Sequence, residues 1–163
     1  MEELLSCCNY LNTPKHFPLS YSNTSDVLEG IQSILDKHEQ IRWCITTLGK
    51  CGQVLLTRET APVDLPTISS IEELENRNAA QFNYKGHLLF FGTVHPIDNV
   101  VDTTGCGDSF VGACLFGFLQ DWPLPKLLNF GSVVAALKTQ KLGARTAIPT
   151  LSAAWPHIKS NNN

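Results

Sequence analysis

The amino-acid sequence predicts an α/β fold, because segments with the pattern of strands alternate with segments with the pattern of helices. A β-branched and aromatic run at 41–48 is typical of a buried strand. Apolar residues three and four apart at 25–38 indicate one face of a helix. The short apolar run at 100–101, a glycine-rich turn and the apolar run at 110–119 together predict a strand, a turn and a helix.

The N-terminal third is predicted to hold one helix and one hairpin. Residues 1–21 have no clear periodicity and contain two prolines, so they are expected to be an irregular segment. A helix over 25–38 follows, with Ser25 as its N-cap. The run at 53–58 is a second strand, joined to 41–48 by a turn at 49–52.

The middle of the chain is more polar. Residues 59–70 are predicted to be a loop, and 71–83 a short exposed helix or a disordered insert. Three short apolar runs then suggest strands, at 88–91, 94–97 and 100–101.

The C-terminal part is predicted to be helical. One helix is expected near 107–120, and a second begins beside Pro125, which suits the first turn of a helix. Gly143 is the expected C-cap of this second helix. One more short helix is predicted within 150–158, and the tail at 159–163 is expected to be disordered.

Composition and charge narrow the classes of function. The chain has 163 residues, about one domain by length, and a net charge of −3 that gives no general attraction to nucleic acid or anionic membranes. No apolar run is long enough to span a bilayer, and the N-terminus lacks the pattern of a signal peptide. Six cysteines without a C-x-x-C pair indicate reduced thiols. The expected location is intracellular, in the cytoplasm.

The glycine-rich turn carries the chemistry. Gly105, Cys106 and Gly107 precede Asp108 at the predicted start of a helix. Amides at a helix N-terminus converge on negative groups, helped by the helix dipole. Asp108 is therefore predicted to be either a helix cap or a base beside an anion site.

Several interpretations of this turn compete. A purely structural turn remains open, whereas a Walker A loop and a dinucleotide fingerprint lack their required residues. A serine hydrolase using Ser109 would need a histidine base, and His157 is the only histidine after it. Phosphoryl transfer needs positioned donors and a carboxylate near the attacking hydroxyl, and this turn supplies both.

Residues 102–110 resemble the signature of the ribokinase (pfkB) carbohydrate kinase family, written Asp-Thr-x-Gly-Ala-Gly-Asp-x-Phe, with Cys106 in place of alanine. Two further segments are similar to family motifs and occur in the family's order. Residues 47–52 resemble its Thr-Leu-Gly-x-x-Gly hairpin, and 130–137 with 142–144 resemble its alanine-rich helix and Gly-Ala turn. The resemblance extends over about 25–150.

The resemblance implies a fold and a set of site residues. The fold would be a ribokinase-like three-layer α/β/α sheet with helices on both faces, incomplete at its N-terminal side. Asp108 would be the general base, and the amides of Gly105, Cys106 and Gly107 an anion hole. The nucleotide would be bound by five residues: Thr47, Gly49, Gly52, Ser132 and Gly143. Asp102 and the carbonyl of Thr104 would hold a monovalent cation.

The implied substrates are ATP with Mg²⁺, K⁺ in part of the family, and a small sugar or nucleoside acceptor. Family members are about twice as long, so 22–158 is expected to be the C-terminal half of a kinase domain, with an insert at 71–99. The missing half would supply most of the acceptor site. The alternatives are therefore an active kinase, completed by a dimer partner or by an N-terminal half, and a silent nucleotide-binding or interaction module.

Overall fold

The computed structural model describes residues 1–75 and 80–158. The chain forms two compact units, one comprising Met1–Phe91 and the other beginning at Gly92. Part of the predicted insert, residues 76–79, and the predicted disordered tail at 159–163 lie outside the described residues. No helix within the described ranges is long and apolar enough to cross a membrane.

The first unit is built on a mixed sheet. The five strands of its described part are β1 (Tyr10–Pro14), β2 (Trp43–Thr47), β3 (Gln53–Thr60), β4 (Gln81–Tyr84) and β5 (His87–Gly92). Their order in the sheet is β1-β2-β3-β5-β4. β1 runs parallel to β2, whereas the β2–β3 and β4–β5 pairs are antiparallel, which confirms the predicted hairpin.

Four helices accompany this sheet in the described part of the first unit: α1 (Glu2–Ser6), α2 (His16–Ser22), α3 (Val27–Lys37) and α4 (Ile71–Glu75). The apolar face of α3 is fully buried and packs in one core with strand residues such as Cys44 and Leu56. The predicted helix is confirmed, but its cap is Asp26, whose carboxylate accepts the Glu29 amide at 2.8 Å, and not Ser25.

The prediction that residues 1–21 are irregular is wrong. They form α1, β1 and most of α2, and the predicted boundary at residue 22 lies inside α2. β1 carries a single buried side chain, Thr13, whose hydroxyl lies 3.0 Å from that of Thr46 on β2. A five-residue edge strand of this kind has no apolar alternation, so the sequence pattern does not reveal it.

The second unit is helical in its described part. It contains α5 (Cys106–Leu119), α6 (Leu124–Lys138) and α7 (Leu151–Ala154), followed by a 3₁₀ turn at Trp155–His157. These helices confirm the C-terminal predictions, including Pro125 in the first turn of α6. Gly143, however, is not the C-cap, because α6 ends at Lys138 and Thr139 is its C-cap. The five strands and seven α-helices of the described residues confirm the α/β class.

The strands predicted at 94–97 and 100–101 are absent from the described residues. The backbone amides of Val101 and Asp102 both donate to the carbonyl of Thr139, at 2.8 and 3.0 Å. The side chains of Val94, Val100 and Val101 are exposed. The segment is therefore held by the C-terminal end of α6 and not by a neighbouring strand.

Candidate functional site

The glycine-rich turn forms the N-terminus of α5. Gly105 is the residue before the helix and has φ +75°, a conformation that glycine adopts without strain. The Cys106 amide donates to the Thr103 carbonyl at 3.1 Å, which closes the turn. The first amides of a helix have no partner within the helix and can donate to an anion, and the role of this turn's amides as an anion hole stays a prediction. The Cys106 amide, predicted to be one of these donors, is engaged in the turn itself.

Asp108 lies in the first turn of α5, with an exposed side chain. It lines a cavity of about 420 Å³ within the second unit, together with Arg145 from the loop after α6. The rest of the wall is mostly apolar and includes Phe116 and Phe130. A carboxylate at this position can accept a proton from a hydroxyl in the cavity.

Ser109 is the nucleophile of the hydrolase alternative. Its side chain is buried, and its hydroxyl donates to the Gly105 carbonyl at 2.9 Å. The histidine that this alternative requires, His157, lies in the C-terminal 3₁₀ turn with its ring 5.2 Å from that of His95. A hydroxyl committed to its own helix is a poor nucleophile, so this geometry disfavours the hydrolase.

Asp102 holds together the segments around the start of α5. Its Oδ1 accepts the Thr104 amide at 2.9 Å, and its Oδ2 accepts the Gly143 amide at 2.8 Å. The ammonium of Lys138 donates to the Asp102 carbonyl at 2.8 Å and lies 3.7 Å from Oδ2. Hydrogen bonds from Thr104, then the amide of Gly143 and the Lys138 charge, hold the pKa of Asp102 well below its usual range.

Lys138 is the residue that sequence analysis missed. A lysine at the end of a helix is expected to be solvated, yet this side chain is 0% exposed. The sequence gives one indication of this burial, which is the position of Lys138 in α6. It lies four residues after Val134 and seven after Gly131, on the same helix face as these two buried residues.

The two C-terminal residues predicted to bind nucleotide are engaged within the second unit. The Ser132 hydroxyl donates to the Thr93 carbonyl at 2.9 Å and accepts the His95 amide at 2.8 Å. Gly143 has φ +103°, and a Cβ there would clash with the Thr146 hydroxyl. Ser132 therefore holds the segment at 93–95, Gly143 shapes the loop after α6, and the contact of either residue with a nucleotide stays a prediction.

The three N-terminal residues lie in the β2–β3 connection. Thr47 is the last residue of β2 and pairs with Gln53. Gly49 and Gly52 have φ values of +64° and +99°, and the Leu48 amide donates to the Gly52 carbonyl at 2.8 Å. The turn is thus closed as predicted, while its role in nucleotide binding stays a prediction.

Comparison with known proteins agrees with the signature. Residues 77–151 match the sequence model of the pfkB family carbohydrate kinases. The chain is related to the pfkB carbohydrate kinases. It is also 36% identical, over 122 residues, to the 5-dehydro-2-deoxygluconokinase of Geobacillus thermodenitrificans; this covers 63% of the chain and 35% of that relative.

Solved structures show the same fold. The ribokinase of Arabidopsis thaliana, complexed with ribose and ATP, has a TM-score of 0.74 and 18% identity, covering 98% of this chain and 43% of that one. A double mutant of the fructokinase from Vibrio cholerae O395, bound to fructose, ADP and a potassium ion, has a TM-score of 0.69 and 21% identity, covering 97% and 43%. The ribokinase-like fold is confirmed, and the chain spans less than half the length of these kinases.

Proposed function

We propose that the chain acts in the ATP-dependent phosphorylation of a sugar or nucleoside hydroxyl. The observation that carries this proposal is the exposed carboxylate of Asp108 on the cavity wall, in the same helical turn as the amides that follow Gly105. Its relation to the pfkB carbohydrate kinases supports the reaction class.

In the proposed mechanism, Asp108 accepts the proton of the acceptor hydroxyl as that oxygen attacks the γ-phosphorus of ATP, and the bond from this phosphorus to the β,γ-bridging oxygen breaks to release ADP. The amides of Gly105 and Gly107 and the dipole of α5 stabilise the negative charge on the transferring group. Mg²⁺ would neutralise charge on the phosphates; in such sites it is held largely by phosphate oxygens and water, so no dedicated protein cage is required.

Nucleotide binding belongs to the same proposal. Thr47, Gly49 and Gly52 would contact ATP from the hairpin turn, and Ser132 and Gly143 would shape the backbone that faces the adenine. The acceptor would be bound chiefly by the part of the kinase fold that lies outside the region of similarity, since the chain corresponds to 43% of the ribokinase with ribose and ATP. The identity of the sugar or nucleoside is left to a substrate panel.

The decisive test replaces Asp108 with asparagine and follows ADP formation with a panel of sugars and nucleosides. Removing a general base costs about 10²–10⁴-fold in rate, so we expect Asp108→Asn to lose kcat by that factor. Its affinity for ATP, measured by calorimetry, should stay close to that of the wild type.

Asp121→Asn is the matched control. Asp121 is an exposed aspartate just beyond the other end of α5, with φ +52°, a conformation that asparagine also tolerates. This variant loses the same charge and should keep full activity. Equal turnover by wild type and Asp108→Asn would refute the general-base role.

The second candidate function is a silent nucleotide-binding module. It is favoured by one observation, that the chain spans less than half of the kinases it matches. Under this alternative, calorimetry shows ATP binding, while no acceptor in the panel gives Asp108-dependent turnover.

A further inference from the structure

The cation site implied by the family resemblance does not fit this chain. Asp102 and the Thr104 carbonyl are the predicted ligands of a monovalent cation, but Asp102 already contacts a fixed positive charge. We propose that the ammonium of Lys138 replaces the bound cation, so that the site operates without K⁺. This inference rests on the proposed kinase function for its activity readout only.

The ammonium of Lys138 lies close to two oxygens of Asp102. The Nζ of Lys138 lies 2.8 Å from the Asp102 carbonyl oxygen and 3.7 Å from Oδ2 of the same residue. One ammonium thus lies close to both a backbone carbonyl oxygen and a carboxylate oxygen. Hard cations bind these same types of oxygen.

The carboxylate of Asp102 has little capacity left for a bound cation. Each of its oxygens accepts a backbone amide, from Thr104 and from Gly143, and the side chain is only 15% exposed. A second cation would sit beside the ammonium of Lys138, which is 0% exposed. Like charges at such short range repel strongly where water is excluded.

Lys138 also positions the segments that Asp102 joins. Asp102 fixes the Thr104 amide directly before Gly105, and it fixes Gly143 directly before Ala144. A Cβ on Gly105 would lie 3.3 Å from the Cβ of Ala144, so these two segments are in close approach at the start of α5. Lys138 acts through Asp102 on the anion-binding turn and is therefore a positioning residue.

The test measures thermal unfolding of the full chain in KCl, NaCl and tetramethylammonium chloride at equal ionic strength. We expect the wild-type midpoint to be the same in all three salts. Lys138→Met removes the charge while keeping a long apolar chain, and we expect a lower midpoint that K⁺ raises selectively over tetramethylammonium. A purely structural lysine would give no such cation-selective recovery.

Lys141→Met is the control, because Lys141 is an exposed lysine three residues further along the chain. Its midpoint should match the wild type in every salt. Phosphotransfer provides a second readout: we expect Lys138→Met to lose about 10–100-fold in tetramethylammonium, as for other residues that support a ligand, and to recover in K⁺.

Two results would overturn the inference. One is a wild-type midpoint that rises selectively in K⁺, and the other is a folded Lys138→Met protein whose midpoint ignores K⁺. The wild-type salt series can still refute the inference if the variant does not fold. A chain without phosphotransfer activity would refute the proposed function, while the unfolding series would still test the role of Lys138.

Discussion

Cys106 is where the signature of this chain departs from the family pattern, which has alanine at this position. It begins α5, its side chain is partly exposed, and its amide closes the turn onto Thr103. The substitution places a thiol beside the proposed anion hole. That thiol provides a chemical probe of the turn which does not depend on catalysis.

We expect Mg-ATP to slow the alkylation of Cys106 by N-ethylmaleimide, because phosphates on the turn would cover the thiol. Peptide mass spectrometry measures the rate at each cysteine. Cys7 is exposed at the C-cap of α1 and is distant from Cys106 in the sequence, so its alkylation rate should not change with ATP. An ATP-independent rate at Cys106 would contradict phosphate binding at this turn.

Two buried cysteines, Cys44 and Cys114, serve as negative controls in the same experiment. Burial raises the pKa of the Cys44 thiol to about 11 and that of Cys114 to about 12. Below these values both thiols stay protonated, and the thiolate is the reactive form. They should therefore remain unmodified near pH 8 until the protein is unfolded.

At the level of elements, α5 and α6 pack closely together at Gly131. A Cβ at Gly131 would lie 2.7 Å from the Phe110 ring and 2.8 Å from the Cys114 sulfur. The absence of a side chain at Gly131 therefore sets how closely α5, which carries Asp108, approaches α6, which carries Lys138. The packing of this pair is part of the site's geometry.

Gly131→Ala should destabilise the protein by about 1–3 kcal/mol, the usual cost of overpacking a core. Urea denaturation measures this loss. Gly112→Ala is the matched control, because a Cβ there meets nothing within 4 Å, and alanine in a helix is favoured over glycine by roughly 0.5–1 kcal/mol. A Gly131→Ala protein as stable as the wild type would show that the helices separate without cost.

Elements whose apolar residues recur at a regular spacing were predictable from sequence. The apolar face of α3, the β2–β3 hairpin and the two long helices of the second unit follow directly from spacing and composition. β1 was not predictable, because its pairing depends on β2 and not on its own residues. The extended segment before α5 was misassigned, since its valines suggested a strand and its amides bond to Thr139 instead.

The candidate site was predictable only in part. Local sequence placed Asp108 and the glycines at the start of a helix, because a turn and a helix begin within a few residues. Lys138 lies 36 residues after Asp102, and their contact is a product of tertiary packing. Single-sequence patterns carry no information on such a pair.

At the scale of the whole molecule, one face of α5 remains apolar and exposed. Val111, Leu115 and Leu119 are spaced four residues apart and are 42%, 56% and 68% exposed. Contiguous exposed apolar patches promote association. The fold matches less than half of each kinase compared above, so much of the kinase fold has no counterpart in this chain.

We expect the chain to self-associate with rising concentration, and the double variant Leu115→Glu, Leu119→Lys to reduce this association. Sedimentation velocity measures both. The variant's melting temperature should not fall, because neither side chain is buried. Val63→Glu, at a fully exposed position in the first unit, should associate like the wild type. A wild-type chain that stays monomeric at every concentration would contradict this expectation.

The fold class followed from sequence because three family-like motifs occur in order. The division of the chain into two compact units did not follow from the sequence. Residues 22–158 were predicted to be the C-terminal half of a kinase domain, and the boundary of the compact units after Phe91 has no signal in the sequence pattern. Domain limits depend on which contacts form across the chain, and residue patterns do not specify them.

The paired hydrogen bonds of Ser132 have a consequence for mutagenesis of the nucleotide site. Because its hydroxyl joins the Thr93 carbonyl to the His95 amide, replacing it with alanine removes both of these hydrogen bonds. A fall in ATP affinity in that variant would therefore mix lost nucleotide contact with a displaced backbone. Threonine, which keeps the hydroxyl, is the substitution that separates the two effects.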